Sequence, residues 1–109
     1  MTEKEYLQVF QNPVFKNEPF TECQAYLYLV FSVAPKDNTF WKNGKLVTAK
    51  KGEIITSYRE LADKWLWNKS RVNHFLKRLE MLEVIKMECN SQWTKIVIDQ
   101  EKFNAFLDN

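Results

Sequence analysis

Four cations, Lys69, Arg71, Lys77 and Arg78, fall within Asn68 to Leu79, and no acidic residue interrupts them. Cations at this density, with no carboxylate to neutralise them, attract phosphate. Arginine adds a planar fork that can bond the edge of guanine through two parallel hydrogen bonds. Through the same stretch Val72, Phe75, Leu76, Leu79 and Leu82 recur at helical spacing. The cations, with Ser70, Asn73 and His74, therefore share the opposite face of one helix. The chemistry open to such a face is polyanion recognition. The plain alternative is the solvated polar face that most amphipathic helices carry.

Other chemistries fare worse. The single histidine, His74, sits among basic residues, and no Gly-x-Ser-x-Gly elbow accompanies it. There is no phosphate-binding Walker loop. The paired carboxylates Glu3/Glu5, Glu80/Glu83 and Asp99/Glu101 read as helix caps and solvated faces. A structural zinc site needs about four Cys/His ligands, and Cys23, Cys89 and His74 cannot supply them. The two cysteines are expected to be reduced core residues. No enzyme activity, metal or cofactor is expected.

The 109 residues fit one domain of globular composition, 45% hydrophobic and 28% charged. No apolar run approaches the ~18 residues of a membrane span, and Met1-Thr2-Glu3-Lys4-Glu5 is not the start of a secretory signal. A cytoplasmic protein is expected. The net charge of +2 conceals an asymmetry: residues 36–79 carry eleven basic and four acidic side chains, and both flanks are net acidic. A basic middle suggests one positive face, or else a lysine-rich solvated loop at Lys42, Lys45, Lys50 and Lys51.

The elements that would position these residues follow from caps and periodicity. Residues 1–20 read as an N-terminal arm, with a weak helical pattern at Tyr6, Leu7, Val9 and Phe10 that Asn12-Pro13 ends. Thr21 and Gln24 form a capping box for an almost uniformly apolar helix over Cys23 to Ala34, stopped by Pro35. Such a helix is buried all round, or buried on one face and used for self-association on another. Residues 36–52 read as polar connection, with one short strand over Lys45 to Ala49. A second strand covers Glu53 to Thr56.

Ser57 and Glu60 form another capping box, so a helix starts at Tyr58, with Leu61, Ala62 and Trp65 inward. Leu66-Trp67-Asn68 breaks it, and Asn68 or Ser70 caps the next helix, which runs to about Glu83. Two helices, a tight turn and a small Ala62 at the crossing make a helix-turn-helix, although Leu66 stands where a turn glycine is common. Trp65, Trp67, Val72 and Phe75 fill the wedge between the helices. The period then changes to two. Val84–Cys89 and Trp93–Ile98 read as a β-hairpin around Asn90-Ser91-Gln92, and Asp99 caps a last helix over 100–109 through Phe103, Phe106 and Leu107. The order is that of an α+β winged helix-turn-helix, with its core over residues 21–99. Its second helix would enter the major groove by its N-terminal end. Lys69 and Arg71 would then lie near base edges and Asn73 near adenine, with His74, Lys77 and Arg78 at phosphates. The hairpin would add Lys86, Ser91, Gln92 and Lys95.

The sequence resembles a known family at these residues: Asn12-Pro-Val-Phe-Lys, Pro19-Phe-Thr to Ala25-Tyr-Leu-Tyr-Leu, and Lys51 to Glu80. The most specific part is Gly52 to Glu80. There the Gly-Glu-x-x-x-Ser-x-x-Leu-Ala run meets Trp-Asn-Lys-Ser-x-Val-x-x-Phe-Leu. Over about residues 10–106 it is similar to the N-terminal winged-helix domain of phage replisome organisers and DnaD-like primosome proteins. The resemblance implies a role in starting DNA replication in a bacterial host, by binding origin or single-stranded DNA and recruiting a replication helicase or helicase loader. It places Lys69, Ser70 and Arg71 at the start of the recognition helix. It also implies self-association, for which the apolar helix and the N-terminal segment are plausible surfaces. Family members carry a second, C-terminal domain that contributes to DNA binding.

Two further readings stand beside this one. The chain could be a protein-interaction module with little DNA affinity, using the apolar helix and aromatics such as Phe40, Trp41 or Trp93. It could also be a transcriptional regulator, which the sequence does not separate from a replication protein.

Overall fold

The computed structural model describes residues 18–107. The helical pattern expected at Tyr6–Phe10, the Asn12-Pro13 break and most of the N-terminal arm lie outside the described residues. The fold is α+β, with four helices and two small antiparallel sheets among the described residues.

Helix α1 spans Glu22–Phe31. Thr21 caps it as expected: its hydroxyl accepts from Gln24 N at 3.1 Å, and the Gln24 side chain accepts from Thr21 N at 2.8 Å. The helix buries Ala25, Leu29 and Val30, and its tyrosines and Phe31 are half-buried. It ends three residues before the expected Ala34. The reason is a better use for that backbone: Ala34 N donates to Glu53 O at 3.0 Å, and Gly52 N donates to Ala34 O at 2.8 Å. Continuing the helix would forfeit these bonds to the start of a strand.

Strands β1 (Asn38–Lys42) and β2 (Lys45–Ala49) form a two-stranded hairpin. Only β2 was expected. The missed signal is Asn43-Gly44, with φ of 54° and 78°. Two positive-φ residues make the tight turn whose twist suits a hairpin. Gly52, at φ 86°, turns the chain into β3, Glu53–Thr56.

Helix α2 covers Tyr58–Trp65 and α3 covers Lys69–Met81. Ser57 caps α2 by accepting from Glu60 N, but only half of the expected box forms. The Glu60 carboxylate instead holds Lys42 and accepts from Thr56 Oγ1 at 3.2 Å. Helix α3 stops two residues early. Glu83 takes a left-handed φ of 61°, and Val84 N bonds back to Leu79 O at 3.1 Å. Leu82, expected inside the apolar stripe, is thereby turned into solvent.

Strands β4 (Ile85–Cys89) and β5 (Thr94–Ile98) follow, and β3, β5 and β4 lie in that order in one antiparallel sheet. Ile54, Ile85, Ile96 and Ile98 face the helices as one core. Helix α4, Gln100–Leu107, is capped by Asp99, whose carboxylate accepts from Lys102 N at 3.0 Å, and Phe103 packs on the core. The cysteines do not join the core, contrary to what the sequence predicts. Cys23 and Cys89 are both exposed and free, because Cys23 lies in the first turn of α1 and Cys89 at the end of β4, next to the hairpin turn.

Trp65 is fully buried at the centre. Its ring meets Tyr28, Trp67 and Phe75 edge-on, with centroids 5.0–6.2 Å apart. Trp65, Trp67, Phe75 and Val72 fill the wedge between α2 and α3, as the sequence predicts, and Tyr28 of α1 packs against it. Removing an indole of this kind costs about 3–5 kcal/mol, a large share of the ~5–15 kcal/mol that holds a domain folded.

Two outcomes test this account. Leu66 closes α2 in the left-handed region, at φ 57° and ψ 42°, which costs a side-chain-bearing residue about 1–2 kcal/mol. Leu66→Gly should raise stability by about 0.5–1 kcal/mol and the thermal midpoint by a few degrees; an unchanged or lower midpoint would show that the leucine's packing outweighs the strain. Burial pushes the phenols of Tyr26, Tyr28 and Tyr58 above their ordinary value of about 10, with nearby Asp99, Glu60 and Cys89 adding to it in turn. The native state thus keeps protons that the unfolded chain releases. Stability should be complete below that value and fall as pH rises through and beyond it, read as a drop in the urea midpoint; a midpoint that holds there contradicts the assignment.

Candidate nucleic-acid interface

The site is built on the junction between α2 and α3. Ala62 is buried where the helices meet, and its carbonyl accepts from both Leu66 N and Trp67 N. The left-handed Leu66 supplies the sharp turn. Trp67 then packs back, and its Nε1 donates to Phe20 O at 2.8 Å. Phe20 N in turn donates to Trp65 O at 2.9 Å. The segment before α1 therefore braces both sides of the turn. Asn68 starts α3 by accepting from Arg71 N at 2.7 Å, which leaves the first turn's remaining amides directed at solvent.

Helix α3 displays what the sequence predicts on its outer side. Lys69, Ser70, Arg71, His74, Lys77 and Arg78 are exposed, and Asn73 is half-buried. Ser70, Arg71, His74 and Arg78 line a shallow open cleft of about 320 Å³ with Asn68, Phe75 and Glu22. Lys69, Asn73 and Lys77 follow at intervals of four along the adjoining stripe. Two of the cations are engaged. The Arg71 guanidinium lies 3.9 Å from the centre of the Trp67 ring, which restrains it near the helix start. Arg78 sits over the Phe75 ring and pairs with Glu22 of α1. That pair is exposed, so solvent weakens it and phosphate can compete for the arginine.

Lys86 of β4 and Lys95 of β5 do not lie on the helix side of the sheet. Side chains alternate along a strand. Ile85 and Ile96 face the helices, so Lys86 and Lys95 project from the other face of the sheet. Lys95 is only 22% exposed and lies 3.7 Å from the Glu53 carboxylate. Ser91 and Gln92 occupy the hairpin turn, where Asn90 Oδ1 accepts from Gln92 N and Trp93 N. The Gln92 carbonyl accepts from Asn43 Nδ2 of the first hairpin at 2.9 Å. Sequence reading missed this hairpin contact, since it joins residues 49 apart.

Among the described residues, no group of three His, Cys, Asp or Glu is placed to hold a metal ion, and no helix is long and apolar enough to cross a membrane. Comparison with protein-family models, curated proteins and solved structures yields no match.

The cap carries the first turn of α3 and the side chains on it. Asn68→Ala should destabilise the protein by about 1 kcal/mol, measured by urea denaturation; a loss below a few tenths of that would mean that the turn is held by Trp67 alone.

Proposed function

We propose that the chain is a winged-helix DNA-binding protein with α3 as its recognition helix. The observation that carries this reading is the run of exposed Lys69, Arg71, His74, Lys77 and Arg78 on a helix with no acid before Glu80. The order α1, β3, α2, α3, β4, β5 and the strand order β3-β5-β4 support it, because a helix-turn-helix followed by a hairpin is what a winged helix requires. The wing meets DNA through its turn, Ser91 and Gln92, rather than through Lys86 and Lys95. The resemblance to replisome organisers and DnaD-like primosome proteins gives the role: starting replication of a phage or mobile element in the bacterial cytoplasm, with a replication helicase or helicase loader as partner and self-association of the chain.

A second reading, a protein-interaction module, draws on Met81 and Leu82 at the end of α3, the former 83% exposed. It expects a stable dimer or larger species whose formation ignores the α3 charges.

Fluorescence-anisotropy titration of duplex DNA at two salt concentrations tests the first reading. Log K should fall by about 0.9 per phosphate contacted for each decade of salt. Replacing Lys69, Arg71, Lys77 and Arg78 with Ala together should weaken binding at least about tenfold on every sequence and flatten the salt slope. Unchanged affinity in that variant removes α3 as the DNA surface.

A further inference from the structure

We propose, on the reading of α3 as the DNA surface, that the cleft between α1 and α3 seats one phosphate of a bound strand and that Glu22 holds this seat in the free protein as a built-in competitor. Arg71, His74 and Arg78 recur at three- and four-residue spacing, so one stripe of α3 brings all three to the cleft, with Asn68 and Ser70 at its end. Glu22 is the one acid among the residues that line it. Its carboxylate pairs with the Arg78 guanidinium. A phosphate that approaches Arg78 must therefore displace a carboxylate first.

The backbone delivers Glu22 to this place. Phe20 N donates to Trp65 O, and Phe20 O accepts from the Trp67 indole, so the chain enters α1 beside the α2–α3 turn. Two residues later the first turn of α1 sets Glu22 against α3. The arginine is restrained as well, its guanidinium 5.6 Å from the centre of the Phe75 ring. The ion pair is not what holds α1 to α3. Its two side chains are 54% and 51% exposed, and pairs so exposed add little to stability. Helix α1 is fixed by its buried Ala25, Leu29 and Val30 and by the Phe20 bonds. A carboxylate that adds little to the fold yet covers a cation of the DNA face acts on binding.

Carboxylate and phosphodiester each carry one negative charge and accept from the same guanidinium fork. In the free protein Glu22 neutralises Arg78. When a strand binds, its phosphate takes the arginine, and the released carboxylate takes a cation from solution. That contact frees no net counterion, so the salt dependence counts one phosphate fewer than the cations of α3 would give. Lys69 and Lys77, which have no carboxylate partner among the described residues, contribute in full. Glu22 thereby holds down the affinity of the face for any phosphate chain.

The test titrates duplex DNA against wild type, Glu22→Gln, Arg78→Ala and the double variant at two salt concentrations. Glu22→Gln should bind about threefold more tightly at low salt, the worth of an exposed pair. It should also steepen the salt slope by about 0.9 and keep a thermal midpoint close to that of wild type. A merely structural pair would instead lower the midpoint and leave the slope as it is. Most of the gain should vanish when Glu22→Gln is made in the Arg78→Ala background. Unchanged or weaker binding by Glu22→Gln overturns the proposal. So does an equal gain in both backgrounds, which would make Glu22 a general surface charge. If neither wild type nor Glu22→Gln binds duplex, the α3 reading falls and the phosphate seat with it; duplex binding that Glu22→Gln leaves unchanged removes the seat alone. Inorganic phosphate, titrated against wild type at constant ionic strength, separates the two sources of the anion. Saturation by phosphate without duplex binding would give the cleft to the free anion and overturn the strand assignment.

Discussion

The Trp65 indole sits where α1, α2 and α3 converge, against Tyr28, Trp67 and Phe75. Edge-to-face contact of this sort is directional as well as apolar, so it sets the angle between helices besides excluding water. The backbone of Phe20 joins the cluster from outside, bonded to Trp65 O and to the Trp67 indole. One aromatic knot thus fixes the α2–α3 turn, the start of α3 and the entry to α1 together. Its interior nitrogen, Trp65 Nε1, finds no acceptor among the described residues. An unpaired buried donor costs about 1–3 kcal/mol, which burial of the rest of the indole offsets.

What the knot determines at the surface is the outward stripe of α3. Val72, Phe75, Leu76 and Leu79 must face the cluster, so Lys69, Arg71, His74, Lys77 and Arg78 are left facing water. The sheet obeys the same logic with period two. The isoleucines that close the core leave Lys86, Glu88, Lys95 and Glu53 on the far face, with the Lys95–Glu53 pair part-neutralising it. Positive charge uninterrupted by acid therefore lies along α3.

Much of this was legible from local signals. Thr21, Ser57, Asn68 and Asp99 each cap the helix they were expected to cap. The change of period after Glu83 marks β4 and β5. The misses were of two kinds. Asn43-Gly44 is a hairpin signal that the strand before it obscures, because Asn38–Lys42 sets two aromatics side by side instead of alternating polar and apolar. The early ends of α1 and α3 were not readable. They depend on where Ala34 and Val84 find backbone partners, and those partners are elsewhere in the chain or made available by a left-handed Glu83.

Local sequence suffices for every described helix, for strands β2 to β5, for most of their starts and for the face each helix buries, because caps act over three or four residues and periodicity over ten to fifteen; β1 is the element it leaves as connection. It also determined that the cations of α3 lie opposite its apolar stripe. Which of the remaining polar residues are free follows from the packing of distant segments. Lys42 and Lys95 are tied to Glu60 and Glu53, and Cys23 and Cys89 are exposed, while Trp41 stands in solvent. Local sequence cannot encode these outcomes. Each depends on which distant segment folds against the residue, and that is settled when the aromatic core and the sheet close.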